Sequence, residues 1–281
     1  MLNNRILITG ATGFVGKQVI KRLCDLDVKI YLVLRPGKEN IFHDNEAVQS
    51  IIFSQDIFKE SAAWWAETCA DIDTIIHLAW YAEPGEYLES SKNSECFEGT
   101  VNLAKGAVKA GIKRFLGIGT CVEYKNSSSP LESSSPLHPF TPYAKAKVDT
   151  FQYLTTLFKE SNIEFLWCRL FYLFGEGEDS RRLAPLLRNS FMHGKSVELS
   201  NPGMVKDYLN VEEAGKIIAN LAMNTHTGAY NVCSGNGITV QSFAEKIADE
   251  YNRRDLLKCG DVQTHFIGPQ FVVGVKTDPQ F

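Results

Sequence analysis

The sequence predicts a doubly wound α/β protein, with a parallel sheet covered by helices on both faces and a smaller mixed α/β lobe after it. Three observations carry this. Short runs of Ile, Val, Leu and Phe alternate with longer amphipathic runs up to about residue 170. The short runs are apolar at consecutive positions, as strands covered on both faces must be. Three glycines, Gly10, Gly13 and Gly16, stand between the first apolar run and the first amphipathic one, where such folds place a phosphate-binding turn.

The elements follow in order. Strands are expected over 5–9, 29–34, 50–53, 74–78, 114–118 and 164–170, and helices over 14–26, 59–70, 91–110 and 142–161. Beyond residue 170 the texture changes. Helical segments over 182–193, 211–224 and 240–251 are separated by turns carrying Gly and Asn. The chain therefore divides into a nucleotide-binding domain over 1–170 and a substrate lobe over 171–281, partly interleaved with the first. Residues 126–136, NSSSPLESSSP, read equally well as a flexible loop or as a loop at the edge of a site.

Composition narrows the classes. The 281 residues are 44% hydrophobic and 22% charged, ordinary for one or two globular domains. Twenty-nine Lys and Arg against 33 Asp and Glu leave a net charge of 29 − 33 = −4, no footprint for nucleic acid or an anionic membrane. The seven cysteines form no CxxC pair and the chain opens directly on a strand-like run, so reduced thiols in a cytoplasmic protein are expected. No apolar stretch approaches the ~18 residues of a membrane span, and no histidine spacing points to a metal.

The glycine triplet carries the nucleotide argument. Gly10 permits the tight turn, Gly13 lets the backbone approach a pyrophosphate, and Gly16 lets helix and strand pack closely. Phosphates then sit at the positive end of the helix, with Thr12, Phe14 and Val15 among the cofactor contacts. The second strand ends in Leu34-Arg35-Pro36-Gly37. An acid there would bind ribose hydroxyls. Arg35 cannot, but it can pair with a 2′-phosphate, which favours NADP(H). Asp56 and Ile57, after the third strand, are candidates for the adenine edge. Further on, Tyr143-Ala-Lys-Ala-Lys147 places a phenol and an ammonium one helical turn apart on one face, and Thr120 ends an apolar strand upstream.

At these positions the chain resembles the extended branch of the short-chain dehydrogenase/reductase superfamily: nucleotide-sugar epimerases, dehydratases and reductases on a Rossmann sheet. TGATGFVG resembles the branch's phosphate loop, and His77-Leu78-Ala79 its HLA segment. Residues 99–103 resemble GTxNL, and 139–147 PxxPYxxxK. Residues 169–175 resemble RxxNVYG, 206–211 RDYxHV and 228–235 GxYNVGSG. The resemblance implies Thr120, Tyr143 and Lys147 as the catalytic set, with Tyr143 the general acid/base, and Leu78, Ala79, Lys147 and Tyr172 near the cofactor. It implies Trp80, Cys121, Arg181, Arg182, Lys206 and Asp207 near the substrate, although Asp207 reads more readily as a cap for the following segment. It also implies a homodimer.

Departures narrow the reaction. Dehydratases of the branch carry Asp-Glu after the catalytic Thr, whereas here Cys121-Val122 follow and Glu123 comes one position late. Cys96 and Tyr172 stand where the branch has Asn, and Lys206 where it has Arg. Members this compact are often reductases. The expectation is an NADPH-dependent reductase of the C4 ketone of a nucleotide-activated 4-keto-6-deoxyhexose, in deoxysugar supply for surface polysaccharide such as lipopolysaccharide. The alternatives are a nucleotide-sugar 4-epimerase with tightly held NAD, a reductase of non-nucleotide carbonyls, and a non-catalytic NADP(H) sensor.

Overall fold

Seven strands, all parallel, form the central sheet in the order β10-β6-β5-β4-β1-β2-β3. The computed structural model describes residues 4–42, 45–260 and 269–277. The first half contains β1 (Arg5–Thr9), α1 (Phe14–Leu23), β2 (Lys29–Leu34), β3 (Val48–Phe53), α2 (Ala62–Thr68), β4 (Thr74–His77), α3 (Lys92–Ala110), β5 (Arg114–Thr120), α4 (Pro142–Glu160) and β6 (Glu164–Leu170). The second half contains β7 (Tyr172–Phe174), α5 (Leu183–Met192), β8 (Val197–Leu199), β9 (Val205–Asn210), α6 (Val211–Ala222), β10 (Gly228–Val232), β11 (Gly237–Thr239), α7 (Val240–Glu250), β12 (Leu257–Cys259) and β13 (Phe271–Val272).

The uninterrupted apolar strands are explained by what covers them. Ile6, Ile8, Ile30, Leu32, Ile76 and Leu116 pack under α1 and α6, while Leu7, Ile75, Phe115 and Trp167 pack under α2, α3 and α4. Alternate residues of one strand thus enter two different cores. The sheet does not stop at residue 170. Strand β10 pairs with β6 from Gly228↔Leu166 to Val232↔Leu170, and α6 lies beside α1 so closely that a Cβ on Gly215 would sit 2.5 Å from the Gln18 side chain. The chain beyond residue 170 therefore returns to the central sheet.

The second lobe has its own core, Leu187, Phe191, Phe243, Ala244 and Ile247 between α5 and α7. Its small sheet centres on β9, parallel to β7 and β13 and antiparallel to β11. The serine-rich stretch is pinned to the body. Leu131 is buried and its backbone bonds Val273 O and Val275 N, at 2.8 Å each. Ser133 O accepts from Arg169 at 3.0 Å. Among the described residues no helix is long and apolar enough to cross a membrane, and no three His, Cys, Asp or Glu side chains gather as metal ligands.

Candidate active site

The glycine loop takes the shape its residues demand. Gly10 has φ +75°, a left-handed conformation that only glycine adopts without strain, and a Cβ there would stand 2.6 Å from Ala79 N. At Gly16 a Cβ would stand 2.2 Å from Gly10 O. Gly13 N donates to Gly10 O at 3.1 Å and Gly13 caps α1 with no side-chain acceptor. No acid stands in the first turn. The helix therefore opens with its amide N–H groups and positive dipole end unopposed, the arrangement that suits a pyrophosphate. These residues fit a dinucleotide.

Around that loop, Thr12, Phe14 and Val15 lie at the start of α1, and Leu78 and Ala79 follow β4, all half-buried. Arg35 is exposed at the end of β2. Asp56 caps its own turn, accepting from Phe58 N at 3.1 Å, and pairs with Lys59 at 3.6 Å. Ile57 packs at the margin of the α2–α3–α4 core. His77 is a linker: its Nδ1 meets Thr9 Oγ1 at 2.7 Å and its Nε2 meets Thr100 Oγ1 at 2.9 Å. Thr100 gives its own proton to Cys96 O, so Nε2 is the donor and the ring is neutral. Burial first, and Lys147 second, depress its pKa to about 3.

The three candidate catalytic residues converge. Thr120 ends β5, and the carboxylate of Glu123 accepts its N–H at 2.7 Å. Tyr143 and Lys147 project from the first turns of α4, which begins at Pro142 and is capped by Thr141, whose Oγ1 accepts from Ala144 N at 3.1 Å. Tyr143 N is held by Leu88 O at 3.0 Å. Burial raises the Tyr143 phenol's pKa well above its ordinary value, Tyr87 and Glu123 push the same way, and the side chain of Thr120 opposes them. Burial also lowers Lys147, to about 7, while Glu123 and Cys96 favour its charge. Burial thus keeps the proton on Tyr143 and weakens the hold of Lys147 on its own.

Glu123, one position late for a dehydratase acid, faces inward. It is fully buried, paired with Arg169 at 2.6 Å and bonded by Trp167 Nε1 at 3.1 Å. It holds Thr120 and does not reach the cleft as an acid.

The substrate candidates separate. Arg182 lies over the Tyr87 ring at 5.7 Å, and that ring packs edge-on against Tyr143 at 4.9 Å. Lys206 lies over the Tyr172 ring at 4.4 Å; burial lowers its pKa, and Cys121 and Arg182 act on it electrostatically. Contacts therefore run from Arg182 through Tyr87 to Tyr143, and from Lys206 to Tyr172 and Cys121. Arg181 is engaged elsewhere, bidentate to Asp179 at 2.8 Å and bridging to Glu83 at 2.7 Å. Asp207 is fully committed. It accepts from Ser234 N and Oγ, Gly235 N and Gly274 N at 2.6–3.2 Å, tying three segments together inside the lobe. The segment after Asp207 is capped instead by Asn210, which accepts from Glu212 N at 2.8 Å. Trp80 turns inward over Lys147, 3.7 Å from Nζ. Tyr87 was not legible in the sequence, because it sits in an irregular loop with no motif around it.

Residues 6–233 match the model of the NAD dependent epimerase/dehydratase family. Among curated proteins, the chain is 23% identical over 256 residues to a dTDP-6-deoxy-L-talose 4-dehydrogenase (NAD(+)) of Aggregatibacter actinomycetemcomitans, covering 88% of this chain and 90% of that one. It is 25% identical over 271 residues to a dTDP-4-dehydro-6-deoxyglucose reductase of Escherichia coli, covering 90% and 84%. Among solved structures, a UDP-N-acetylglucosamine 4-epimerase from Methanobrevibacter ruminantium superposes with TM-score 0.85 at 21% identity, covering 99% of this chain and 91% of that one. At that identity the likeness is one of fold.

Proposed function

The chain belongs to the NAD dependent epimerase/dehydratase family, and we propose that it reduces the C4 ketone of a nucleotide-activated 4-keto-6-deoxyhexose with NADPH. The observation that carries the chemistry is the Thr120–Tyr143–Lys147 cluster at the C-terminal edge of the sheet, beside a glycine loop shaped for pyrophosphate. A reduced nicotinamide, when bound there, supplies the hydride. The Thr120 hydroxyl would hydrogen-bond the ketone oxygen and orient it. Tyr143 Oη would donate its proton to that oxygen as negative charge develops. The Lys147 ammonium, 5.9 Å from the Tyr143 ring, lowers the cost of the phenolate left behind. The raised Tyr143 pKa suits this direction, because the phenol enters the step protonated.

Arg35 supports NADPH over NAD, since a cation at the end of β2 pairs with a 2′-phosphate and cannot accept from ribose hydroxyls. Arg182 and Lys206 supply charge for a substrate diphosphate. The inward, Arg169-bound Glu123 and the thiol of Cys121 supply no acid/base pair for eliminating water, which speaks against a dehydratase. One curated relative is by name a reductase of a 4-dehydro-6-deoxy sugar, and the other is by name a 4-dehydrogenase, the reverse direction of that step.

The test is incubation with NADPH and a panel of 4-keto-6-deoxyhexose nucleotides. Stoichiometric loss of reduced-nicotinamide absorbance, with a product two hydrogens heavier, is expected. An isomeric product without net NADPH consumption would replace the reductase by the epimerase. Binding of NADP(H) with no turnover on any carbonyl would replace it by the sensor.

A further inference from the structure

Lys147 is a charge with little around it to keep it charged. The residue is 3% exposed. Among the described residues its direct hydrogen bond runs to Ile118 O at 2.7 Å. Glu123, the carboxylate that favours its charge, is itself bound by Arg169. The ring nearest the ammonium is an indole: the Trp80 centroid lies 3.7 Å from Nζ, against 5.7 Å for Trp167 and 5.9 Å for Tyr143. A cation over an aromatic face is attracted by the ring quadrupole, most strongly for Trp and more so when desolvated.

The indole is held in that pose. Trp80 Nε1 donates to Asn93 Oδ1 at 2.9 Å. Asn93 is buried, and its amide nitrogen donates to Tyr87 O at 2.6 Å and Ser90 O at 2.9 Å. Two carbonyls on one side and an indole N–H on the other fix the amide's orientation, and the amide fixes the ring. We infer that Trp80, oriented by Asn93, is a positioning residue that holds the Lys147 ammonium charged and aimed within the buried site.

The groups that face Lys147 act with opposite signs. Glu123 from the turn after β5 and Cys96 from α3 favour the charge, and burial opposes it. His77 at the end of β4 is neutral, and Tyr143 on the same helix carries its proton. Trp80 has two conceivable effects of opposite sign. As a quadrupole it favours the cation. As an apolar lid it excludes water and disfavours it.

The inference rests on Lys147 serving Tyr143, so its test uses neither substrate nor cofactor and survives a wrong substrate. Lysine labelled with 13C at Cε gives a resonance that is absent in Lys147→Arg and whose titration reports Lys147 alone. In the wild type the midpoint is expected near 7. In Trp80→Leu it falls by about half to one and a half pH units, and in Trp80→Phe by less. A midpoint that stays in place or rises in Trp80→Leu overturns the inference, a rise showing that the ring acts as a lid. Should Trp80→Leu fail to fold, Trp80→Phe decides by the same signs. With a substrate in hand, the alkaline limb of kcat/KM moves down by the same interval, because the protonated form is lost as pH rises through its pKa.

Discussion

Two ion pairs of nearly equal length, one buried and one exposed, do opposite work. Arg169–Glu123 spans 2.6 Å beneath Thr120, with side chains 1% and 0% exposed. Arg181–Glu83 spans 2.7 Å across the rim, with side chains 53% and 45% exposed. Distance alone would rank them together. Burial separates them. The inner pair cannot exchange its partners for water, so each charge depends on the other and on the N–H groups of Thr120 and Trp167. The outer pair has water as a ready substitute and is screened by salt. The inner pair therefore fixes the end of β5, while the outer one joins the loop after β4 to the segment before α5.

Breaking the inner pair is the largest expected effect on stability. Arg169→Met leaves Glu123 buried with two N–H donors and no cation, at a cost of about 3–5 kcal/mol. Urea denaturation measures it. Replacing Glu123 as well by an apolar residue does not restore the wild type, because the N–H groups of Thr120 and Trp167 then lose their acceptor. Full recovery in such a double variant would show that the pair does not anchor Thr120.

Next in size is the chemistry the inner pair supports. Tyr143→Phe removes the proton donor and is expected to lower kcat by about 100- to 10,000-fold while leaving the urea midpoint within error of wild type. Equal activity would remove Tyr143 from its role. This variant and Arg169→Met together separate a residue that acts on substrate from one that acts through Thr120.

What was legible in the sequence was local. The glycine loop and the Tyr143/Lys147 spacing lie within one turn-and-helix each, so their residue types and intervals carried the geometry. The C-terminal strand was not legible as part of the sheet. Residues 228–232 include polar Asn231 and pair with residues 166–170, some sixty positions away. Glu123 is similar. Its neighbours in sequence give no hint that it points inward, because Trp167 and Arg169 lie 44 and 46 residues along the chain. Arg181 and Arg182 differ by one position, and only the fold shows that the first is spent on Asp179 and Glu83 while the second faces Tyr87.

An effect that is small at neutral pH and grows on acidification tests whether neutral buried groups follow the rule of the inner pair. His77 has a folded pKa near 3 against an ordinary 6.5. Folding therefore binds fewer protons than unfolding between those values. The stability His77 contributes is present above pH 6.5 and is lost as pH falls toward 3, with a slope approaching about 1.4 kcal/mol per pH unit. Subtracting the urea stability of His77→Gln from that of the wild type at each pH isolates this from the carboxylates. A difference that is flat with pH would mean that His77 takes up a proton within the fold.

The smallest effect belongs to the outer pair. Arg181→Gln removes contacts with both Glu83 and Asp179, yet exposed partners are resolvated at once, so the melting temperature should not move measurably. What changes is the salt dependence of the reaction. If the proposed function holds, a cation at the rim contributes to the encounter with a diphosphate-bearing substrate through its field, which salt screens over about 10 Å at 0.1 M. The variant should therefore show a shallower fall of kcat/KM with added NaCl than the wild type, at unchanged kcat. If kcat itself changes, the Glu83–Arg181 link governs how the loops close over Tyr143, and the rim pair is more than a substitute for water.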